Sequence, residues 1–273
     1  MKITLFFLAL LLCSAVFGQE EKPTEPQKKA VHSLSINMGV NDFHMRDEYL
    51  SPHIFSKSLF STQLSYQIRA KHYLHNIEVD FSTGHPNSNI QPRNVAENIG
   101  SIAYTVSRVI DVEQIAGKPL ELSLGAEVSS FIVSTDFVAE DKRYSYEWNE
   151  QSWYCSNSLG IHASGNYQIS DKTGFSIQLA LPVFSLVSRP ENGHSFNAEN
   201  AKVIDKFMNV ELQGKPEFFW DNAALACELG YKQQLGKHCN LKLNYLFNYA
   251  TSDRPAHLQM YMNRFLAGFE FLF

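Results

Sequence analysis

The chain has 273 residues, of which 44% are hydrophobic and 19% charged, a balance that excludes an intrinsically disordered protein. Its formal net charge of −5 argues against a nucleic acid partner, because binding to a phosphate backbone needs an excess of Lys and Arg. Phe, Tyr and Trp together make up 13% of the residues, and aromatic side chains favour β-strands.

The first 30 residues predict export from the cytoplasm. Lys2 precedes an apolar run at 3–12 that is too short to cross a bilayer as a helix, and Gly18 is small enough to precede a cleavage site. We therefore expect a signal peptide at 1–18 and a charged, Pro-containing periplasmic leader at 19–30, which cannot bury apolar surface.

From residue 31 to residue 273, apolar and polar residues alternate with a period of two, which indicates strands with two different faces. Ten such segments follow one another, and their apolar rows begin at Leu34, Phe60, Tyr73, Ile102, Leu120, Leu159, Phe175, Leu225, Leu241 and Phe265. The connections alternate in length, with short ones near 69–72, 111–118, 170–174 and 233–239 and long ones near 41–54, 83–98, 134–153, 187–217 and 250–259. This rhythm is typical of outer-membrane barrels, which have short periplasmic turns and longer extracellular loops.

The two faces predict a membrane barrel rather than a soluble β-sandwich, which is the alternative. The apolar face is nearly free of charge over roughly ten residues per strand, about the length that a tilted strand needs to cross the hydrocarbon. The polar face is rich in Ser, Asn, Gln and Gly, with sparse charges that suit a narrow lumen: Arg69, Glu78, Asp80, Glu127, Glu228, Lys242, Arg264 and Glu270. Large residues also fall on the inward rows and predict a filled lumen: Leu59, Leu74, Phe184, Leu266 and Leu272. We predict an all-β, single up-and-down antiparallel transmembrane barrel of ten strands at 31–273.

The last segment, with Phe at alternate positions up to Phe273, resembles the C-terminal strand of bacterial outer-membrane barrels. The residues around the predicted cleavage site resemble those of exported Bacteroidota proteins. The resemblance implies a Gram-negative outer membrane as the location, outer-membrane lipid and lipopolysaccharide as surroundings, and recognition of the final strand by the barrel-assembly machinery. It identifies no functional subfamily.

His162 and Ser164 are the first candidate for chemistry. Outer-membrane acyl hydrolases carry a His-x-Ser pair on one strand, where a period of two puts both side chains on one face and His can activate Ser. In those families the pair faces the lipid, and a neighbouring strand supplies an acidic or amide side chain to orient the His. Here both residues share the polar row, and the next strand offers Ser176 and Gln178. Hydrogen-bonded lumen fillers are therefore the favoured interpretation.

A second candidate is a protease site at the outer mouth, as in the ten-stranded omptin family, which places Asp and His side chains there to activate water. His53, His85, Asp221, Asp253 and His257 lie near the predicted mouth, without the spacing of that family's motif. Surface loops commonly contain such residues, so this interpretation is the weakest.

Aromatic residues near the predicted mouth are candidates for binding, because exposed rings can stack on sugars or anchor partners. They are Tyr144, Tyr146, Trp148 and Trp153, with a further run at Phe218, Phe219 and Trp220. We predict no cofactor, because no nucleotide-binding or metal-binding motif is present, and the odd number of Cys in 19–273 gives no disulfide framework. The leading hypothesis is a non-enzymatic barrel with a binding, structural or assembly role and an unidentified envelope or extracellular protein ligand, and the alternatives are a lipid acyl hydrolase and a narrow solute channel.

Overall fold

A computed structural model of the chain describes residues 30–48, 51–70, 72–85, 87–88, 94–115, 118–141, 146–189, 214–254 and 256–273. The predicted signal peptide and almost all of the predicted leader lie outside these residues. Every regular element within them is a β-strand. No helix in the described part of the chain is long and apolar enough to cross a membrane.

Ten long strands form the sheet, and two short strands attach to it. The strands are β1 (Val31–Asp47), β2 (Ser51–Arg69), β3 (Tyr73–Gly84), β4 (Asn87–Ser88), β5 (Asn94–Ile115), β6 (Lys118–Asp141), β7 (Tyr146–Ser170), β8 (Thr173–Ser188), β9 (Lys215–Phe218), β10 (Ala224–Gln234), β11 (Cys239–Ser252) and β12 (Leu258–Leu272). β4 pairs with the start of β2, and β9 pairs with the end of β8.

The sheet closes on itself, because β1 pairs antiparallel with both β2 and β12. His32 and Phe273 exchange two main-chain hydrogen bonds of 3.1 Å at this seam. The remaining long strands pair in the order β12, β11, β10, β8, β7, β6, β5, β3 and β2. The prediction of an all-β, ten-stranded antiparallel barrel is confirmed.

The outer surface carries a continuous belt of exposed apolar side chains. On β8 the belt comprises Phe175, Ile177, Leu179, Leu181 and Val183, which are 37–48% exposed. At a rise of about 3.3 Å per residue, this row extends roughly 26 Å along the strand. The neighbouring strands continue the belt with residues that include Met38, Phe60, Ile102, Leu124, Leu229 and Phe265. Such a surface is suited to lipid rather than to water.

Two inward glycines mark places where neighbouring strands approach closely. A Cβ atom added to Gly39 would overlap the carbonyl oxygen of Phe265 on β12, and one added to Gly125 would overlap that of Val106 on β5. Any larger residue would push the strands apart, so these glycines permit the tight coiling of a small barrel.

Several segments that we predicted as outer loops are largely strand. Only residues 48–50 separate β1 from β2, only 142–145 separate β6 from β7, and only 253–257 separate β11 from β12. The barrel wall therefore continues well beyond the apolar belt on the side opposite the chain termini. We call this the outer end of the barrel and the opposite side the periplasmic end.

The prediction that Phe184 points inward was wrong. The register of β7 and β8 shifts between Leu159 and Gly160, so Phe184 lies opposite the exposed Leu159. Phe184 packs edge-on against Phe218 of β9, which is itself exposed. A β-bulge breaks the alternation of faces along a strand, and simple counting by two fails beyond it. The other large residues predicted to lie inside include Leu59, Leu74 and Leu266, which are buried.

Candidate functional site

The interior of the barrel has three layers along its axis, and the lowest is a polar layer built around Arg264. The Arg264 guanidinium forms an ion pair of 2.8 Å with Asp80 and donates a hydrogen bond of 3.1 Å to the Asn248 amide oxygen. Ser101 donates a hydrogen bond of 2.9 Å to the Asp80 carboxylate. These side chains come from β3, β5, β11 and β12, so the network connects opposite sides of the wall.

The remaining predicted lumen charges extend this layer toward the periplasmic end. Arg69 forms an ion pair with Glu121, and Glu270 lies 3.5 Å from the Lys232 ammonium. Glu270 also accepts a hydrogen bond of 2.6 Å from Asn240. Lys242 lies on the inward row of β11, between the buried Asn240 and Asn244, and Glu127 accepts a hydrogen bond of 3.4 Å from Thr105.

A cavity of about 170 Å³ lies where the polar layer meets the buried apolar side chains of Ile99, Tyr154, Ala250 and Met262. Its wall includes Asn41, Glu78, Glu127, His162, Glu228 and Arg264. Most of these residues were predicted to face the lumen as charges, but no sequence pattern predicted a cavity between them.

Above the polar layer lies an apolar plug, which we define by the buried inward residues Phe43, Met45, Phe55, Leu59, Ile99, Val133, Tyr154, Val187, Ala250, Leu258, Met260 and Met262. They come from β1, β2, β5, β6, β7, β8, β11 and β12, and Ala224 of β10 packs against them. Phe43, Leu258 and Met260 are 0% exposed. The plug therefore fills the lumen from wall to wall.

The third layer is a polar rim at the outer end. Its centre is Arg189, which forms a buried ion pair of 2.8 Å with Asp47 of β1. Arg189 also donates hydrogen bonds to the carbonyl oxygens of Arg254 and Ala256, at 2.8 Å and 2.6 Å. One side chain thus connects the end of β8 with β1 and with the connection between β11 and β12.

The structure does not bring His162 and Ser164 into contact with each other. Both side chains are buried in the lumen. The His162 Nδ1 atom lies 3.2 Å from the Ser107 hydroxyl, and its Nε2 atom lies 3.3 Å from the Gln178 amide oxygen. Ser164 instead shares a hydrogen bond of 2.7 Å with Ser123. Gln178 is the one feature that matches the orienting group of the hydrolase families.

Of the described residues that were predicted as a protease site at the outer mouth, only His257 and Asp253 are in contact with each other. The His257 Nδ1 atom lies 2.8 Å from the Asp253 carboxylate, and both side chains are exposed. Asp221 lies 3.8 Å from Arg254. His85 is exposed at the end of β3, and the side chain of His53 lies outside the described residues.

The predicted aromatic binding residues fall in two places. Trp153 lies on β7, where its indole N–H donates a hydrogen bond of 3.4 Å to Ser188. Tyr146 and Trp148 lie at the start of the same strand, but their side chains, like the whole of Tyr144, lie outside the described residues. Trp220 follows β9, is 76% exposed and stacks on Phe218 at a centroid distance of 5.1 Å.

Within the described residues, no three His, Cys, Asp or Glu side chains come close enough together to hold a metal ion. Cys155, Cys227 and Cys239 form no disulfide with one another. Sequence reasoning predicted a filled lumen and placed Leu59 in it, but it missed Arg189 and most of the plug, because the segments that contain Phe43, Met45 and Leu258 were interpreted as loops. The available signal was the continued inward spacing of two from Asn41 through Phe43 to Met45.

Comparison with solved structures gives full-length matches to bacterial outer-membrane barrels. The outer membrane protease OmpT from Escherichia coli matches with a TM-score of 0.52 and 9% identity over 93% of this chain and 99% of that one. This chain has the fold of a bacterial outer-membrane barrel. Neisserial surface protein A matches over 90% of this chain and 99% of its own length, with a TM-score of 0.36 and 9% identity. Ail of Yersinia pestis matches over 88% of this chain and 98% of its own length, also with a TM-score of 0.36 and 9% identity.

These identities establish the fold alone. No family model matches the chain, and no curated protein matches its sequence.

Proposed function

We propose that this protein spans a bacterial outer membrane as a barrel that does not conduct solutes, and that it acts through its outer end as a binding or structural protein of the envelope. The single observation that carries the proposal is the apolar plug. Phe43, Met260 and their neighbours cross the whole lumen with fully buried apolar side chains. A dewetted apolar constriction stops water and ions, so the barrel has no open path for them.

The belt supports the membrane location. Its exposed apolar side chains surround the barrel at the level of the polar layer. Exposure of this much apolar surface to water would cost about 25 cal/mol for each Å². In lipid the same surface costs nothing, and the closed sheet leaves no unpaired strand edge in the hydrocarbon.

The outer end is the part best placed to meet a partner. β6 and β7 extend as a hairpin, with Tyr146 and Trp148 at the start of β7, and Tyr144 lies between the two strands in the sequence. Trp220 is exposed two residues after β9. Tyr and Trp are enriched at the centres of protein interfaces, because they offer large contact areas with few rotatable bonds. The proposal assigns ligand binding to this hairpin.

Two measurements test the proposal together. Purified protein in planar lipid bilayers is expected to give no single-channel conductance, and stepwise openings in most insertions would contradict the sealed lumen.

Deletion of residues 137–151 is expected to leave a folded barrel with a heat-dependent shift in gel migration, while binding to envelope or extracellular proteins is lost. If the deleted protein cannot fold, the hairpin is part of the core structure and the assignment of binding to it is wrong.

A further inference from the structure

The wall of the barrel has a gap between β8 and β10, within the apolar belt. The ladder between these strands ends at Ala180 and Ala226, although both strands continue beyond that pair. Within these two described strands, the next two residues of β8 have no ladder partner on β10, a length of roughly 7 Å. The wall resumes where the Phe219 N–H donates a hydrogen bond of 3.2 Å to the Val183 carbonyl oxygen.

Pro182 and a β-bulge account for the gap. Proline has no N–H group to donate to a neighbouring strand, so it interrupts a ladder and leaves no donor unpaired at its own position. At the same point the register of β8 with β7 skips Val183, and a bulge bends the strand that contains it. The interruption is short and the strands are joined on both sides of it, so the sheet remains closed.

The lumen cavity lies directly behind this gap. Its wall includes Ala180 and Pro182 on the β8 edge of the gap and Ala224 and Ala226 on the β10 edge. These inward side chains are small, and longer ones would fill the space that they leave. The gap therefore lies between the cavity and the lipid.

The outer face of the gap is apolar and aromatic. Leu181 and Leu225 flank it on the lipid side and are 37% and 39% exposed. Phe219 and Trp220, which follow at its outer end, are 42% and 76% exposed, and Trp220 stacks on Phe218. Apolar surface thus leads from the edge of the belt to the gap, where a small apolar molecule dissolved in the lipid would meet it.

The cavity limits its ligand by size and polarity. Most of its wall is apolar, with Leu246 and Met262 among the residues, and its polar part includes Ser156 and Ser158. These two hydroxyls share a hydrogen bond of 3.0 Å, and because a hydroxyl oxygen has two lone pairs, acceptors remain for a ligand hydroxyl. An apolar cavity of about 150 Å³ can bind benzene, so a cavity of about 170 Å³ has room for one ring.

The lumen offers no comparable route along its axis. The plug closes it toward the outer end. Toward the periplasmic end, Asn37, Gln63 and Asn244 are buried, and both asparagine side chains donate hydrogen bonds to the Gln63 amide oxygen, at 2.8 Å and 3.5 Å. Side chains from β1, β2 and β11 thus meet across the lumen below the cavity.

We propose that this cavity is a binding site for a small neutral aromatic molecule with one hydroxyl group, of about the size of phenol, which enters from the lipid through the gap between β8 and β10. Such molecules partition into membranes, so lateral entry needs no aqueous path. The site is separate from the outer hairpin, and its use is compatible with a barrel that does not conduct ions.

Equilibrium dialysis with radiolabelled phenol at neutral pH tests the site. The barrel in lipid nanodiscs is compared with empty nanodiscs of the same lipid, because phenol also dissolves in the bilayer. The expected result is saturable binding of about one phenol per barrel, in addition to the linear uptake by lipid. Benzoate has the same ring and a full negative charge that is costly to bury, so it is expected to compete at least tenfold more weakly. Purely linear uptake, or equal competition by benzoate, would overturn the proposal.

Filling the cavity is expected to abolish the site. Ala226→Phe and Ala180→Leu add bulk from the two edges of the gap, and each is expected to weaken saturable phenol binding at least tenfold. Leu229→Phe is the matched control, because it places a ring on the lipid-facing side of β10, and it should bind phenol as the unmodified barrel does. Heat-dependent gel migration reports folding for each variant. Equal binding by a folded filling variant and the control would contradict the assignment.

The route is tested with Ala226→Cys in a barrel whose native Cys are replaced by Ser. N-phenylmaleimide is neutral and dissolves in lipid, whereas a sulfonated methanethiosulfonate stays in water and reaches both ends of a barrel in a nanodisc. Rates are divided by those of His257→Cys, which is exposed at the outer end. The normalised rate is expected to be at least tenfold higher for N-phenylmaleimide. Equal normalised rates, or no labelling by either reagent, would rule out entry through the gap.

Discussion

At the residue scale, the contacts of His162 argue for a structural role. Both of its ring nitrogens lie beside side chains other than Ser164, and the pair faces the lumen while lipid lies outside the wall. Ser164→Ala is therefore expected to produce no change in acyl hydrolysis of phospholipid or lipopolysaccharide. It should lower the free energy of unfolding in urea by about 1 kcal/mol, because Ser123 loses a buried hydrogen-bond partner.

Ser176→Ala, at another inward hydroxyl, is the control for general effects of the substitution. A hydrolytic activity that is present in the unmodified protein and lost only in Ser164→Ala would contradict the structural interpretation.

The direction of individual side chains was largely predictable from a period of two. It placed Asp80, Glu228, Arg264 and Glu270 on the inward face, and all four are buried there. It failed for Phe184, because the register shifts between Leu159 and Gly160, where Gly160 pairs with Pro182. Gly and Pro within strands are common at bulges, but they do not fix which residue is the extra one. It also could not predict that Arg189 would reach Asp47, which lies 142 residues earlier in the chain.

At the scale of elements, the plug depends on strand ends that the sequence presents as loops. Charged and polar residues around 46–53 interrupt the apolar pattern, and this interruption predicted a loop. In the structure, however, β1 ends only at Asp47 and β2 already begins at Ser51. Their pairing with each other and with β12 decides the conformation there, and such tertiary pairing overrides local preference.

Opening the plug is expected to create a conducting pore. In Phe43→Ser/Met260→Ser, two fully buried apolar side chains become small and polar, so water can enter the layer and join the polar lumen to the rim. Planar bilayers should then record step-like conductance that the unmodified protein lacks.

Tyr261→Ser is the control for the plug variant, because Tyr261 neighbours Met260 on β12 but points outward. If both proteins fold and neither the plug variant nor the control conducts, the polar layer alone is enough to close the lumen.

At the scale of the whole molecule, closure within one chain is the property on which the fold depends. Met38 of β1 and Ala267 of β12 are direct partners across the seam. Opposite residues in antiparallel strands have Cα atoms about 4.5–5.5 Å apart, which is compatible with a disulfide. Met38→Cys/Ala267→Cys, with the native Cys replaced by Ser, is expected to form an intramolecular disulfide in the folded barrel, detected by mass spectrometry under non-reducing conditions.

Met38→Cys/Leu243→Cys is the matched control for the seam, because Leu243 lies one strand further from Met38 and should not be bridged. Disulfide-linked dimers as the main product of the first pair would mean that β1 and β12 join different chains.

The long β6–β7 hairpin has a consequence for how a partner would meet this protein. Val128 of β6 pairs with the exposed Leu159, which lies level with the upper end of the apolar belt on β8. From Val128 to its end at Asp141, β6 continues roughly 30 Å beyond the belt along the barrel axis at a tilt of about 40°. Charges on membrane phosphates are screened within about 8 Å at physiological ionic strength. Recognition at the hairpin tip would therefore be insensitive to the anionic lipid composition underneath, and the same partner could be met on bacteria whose surface charge differs.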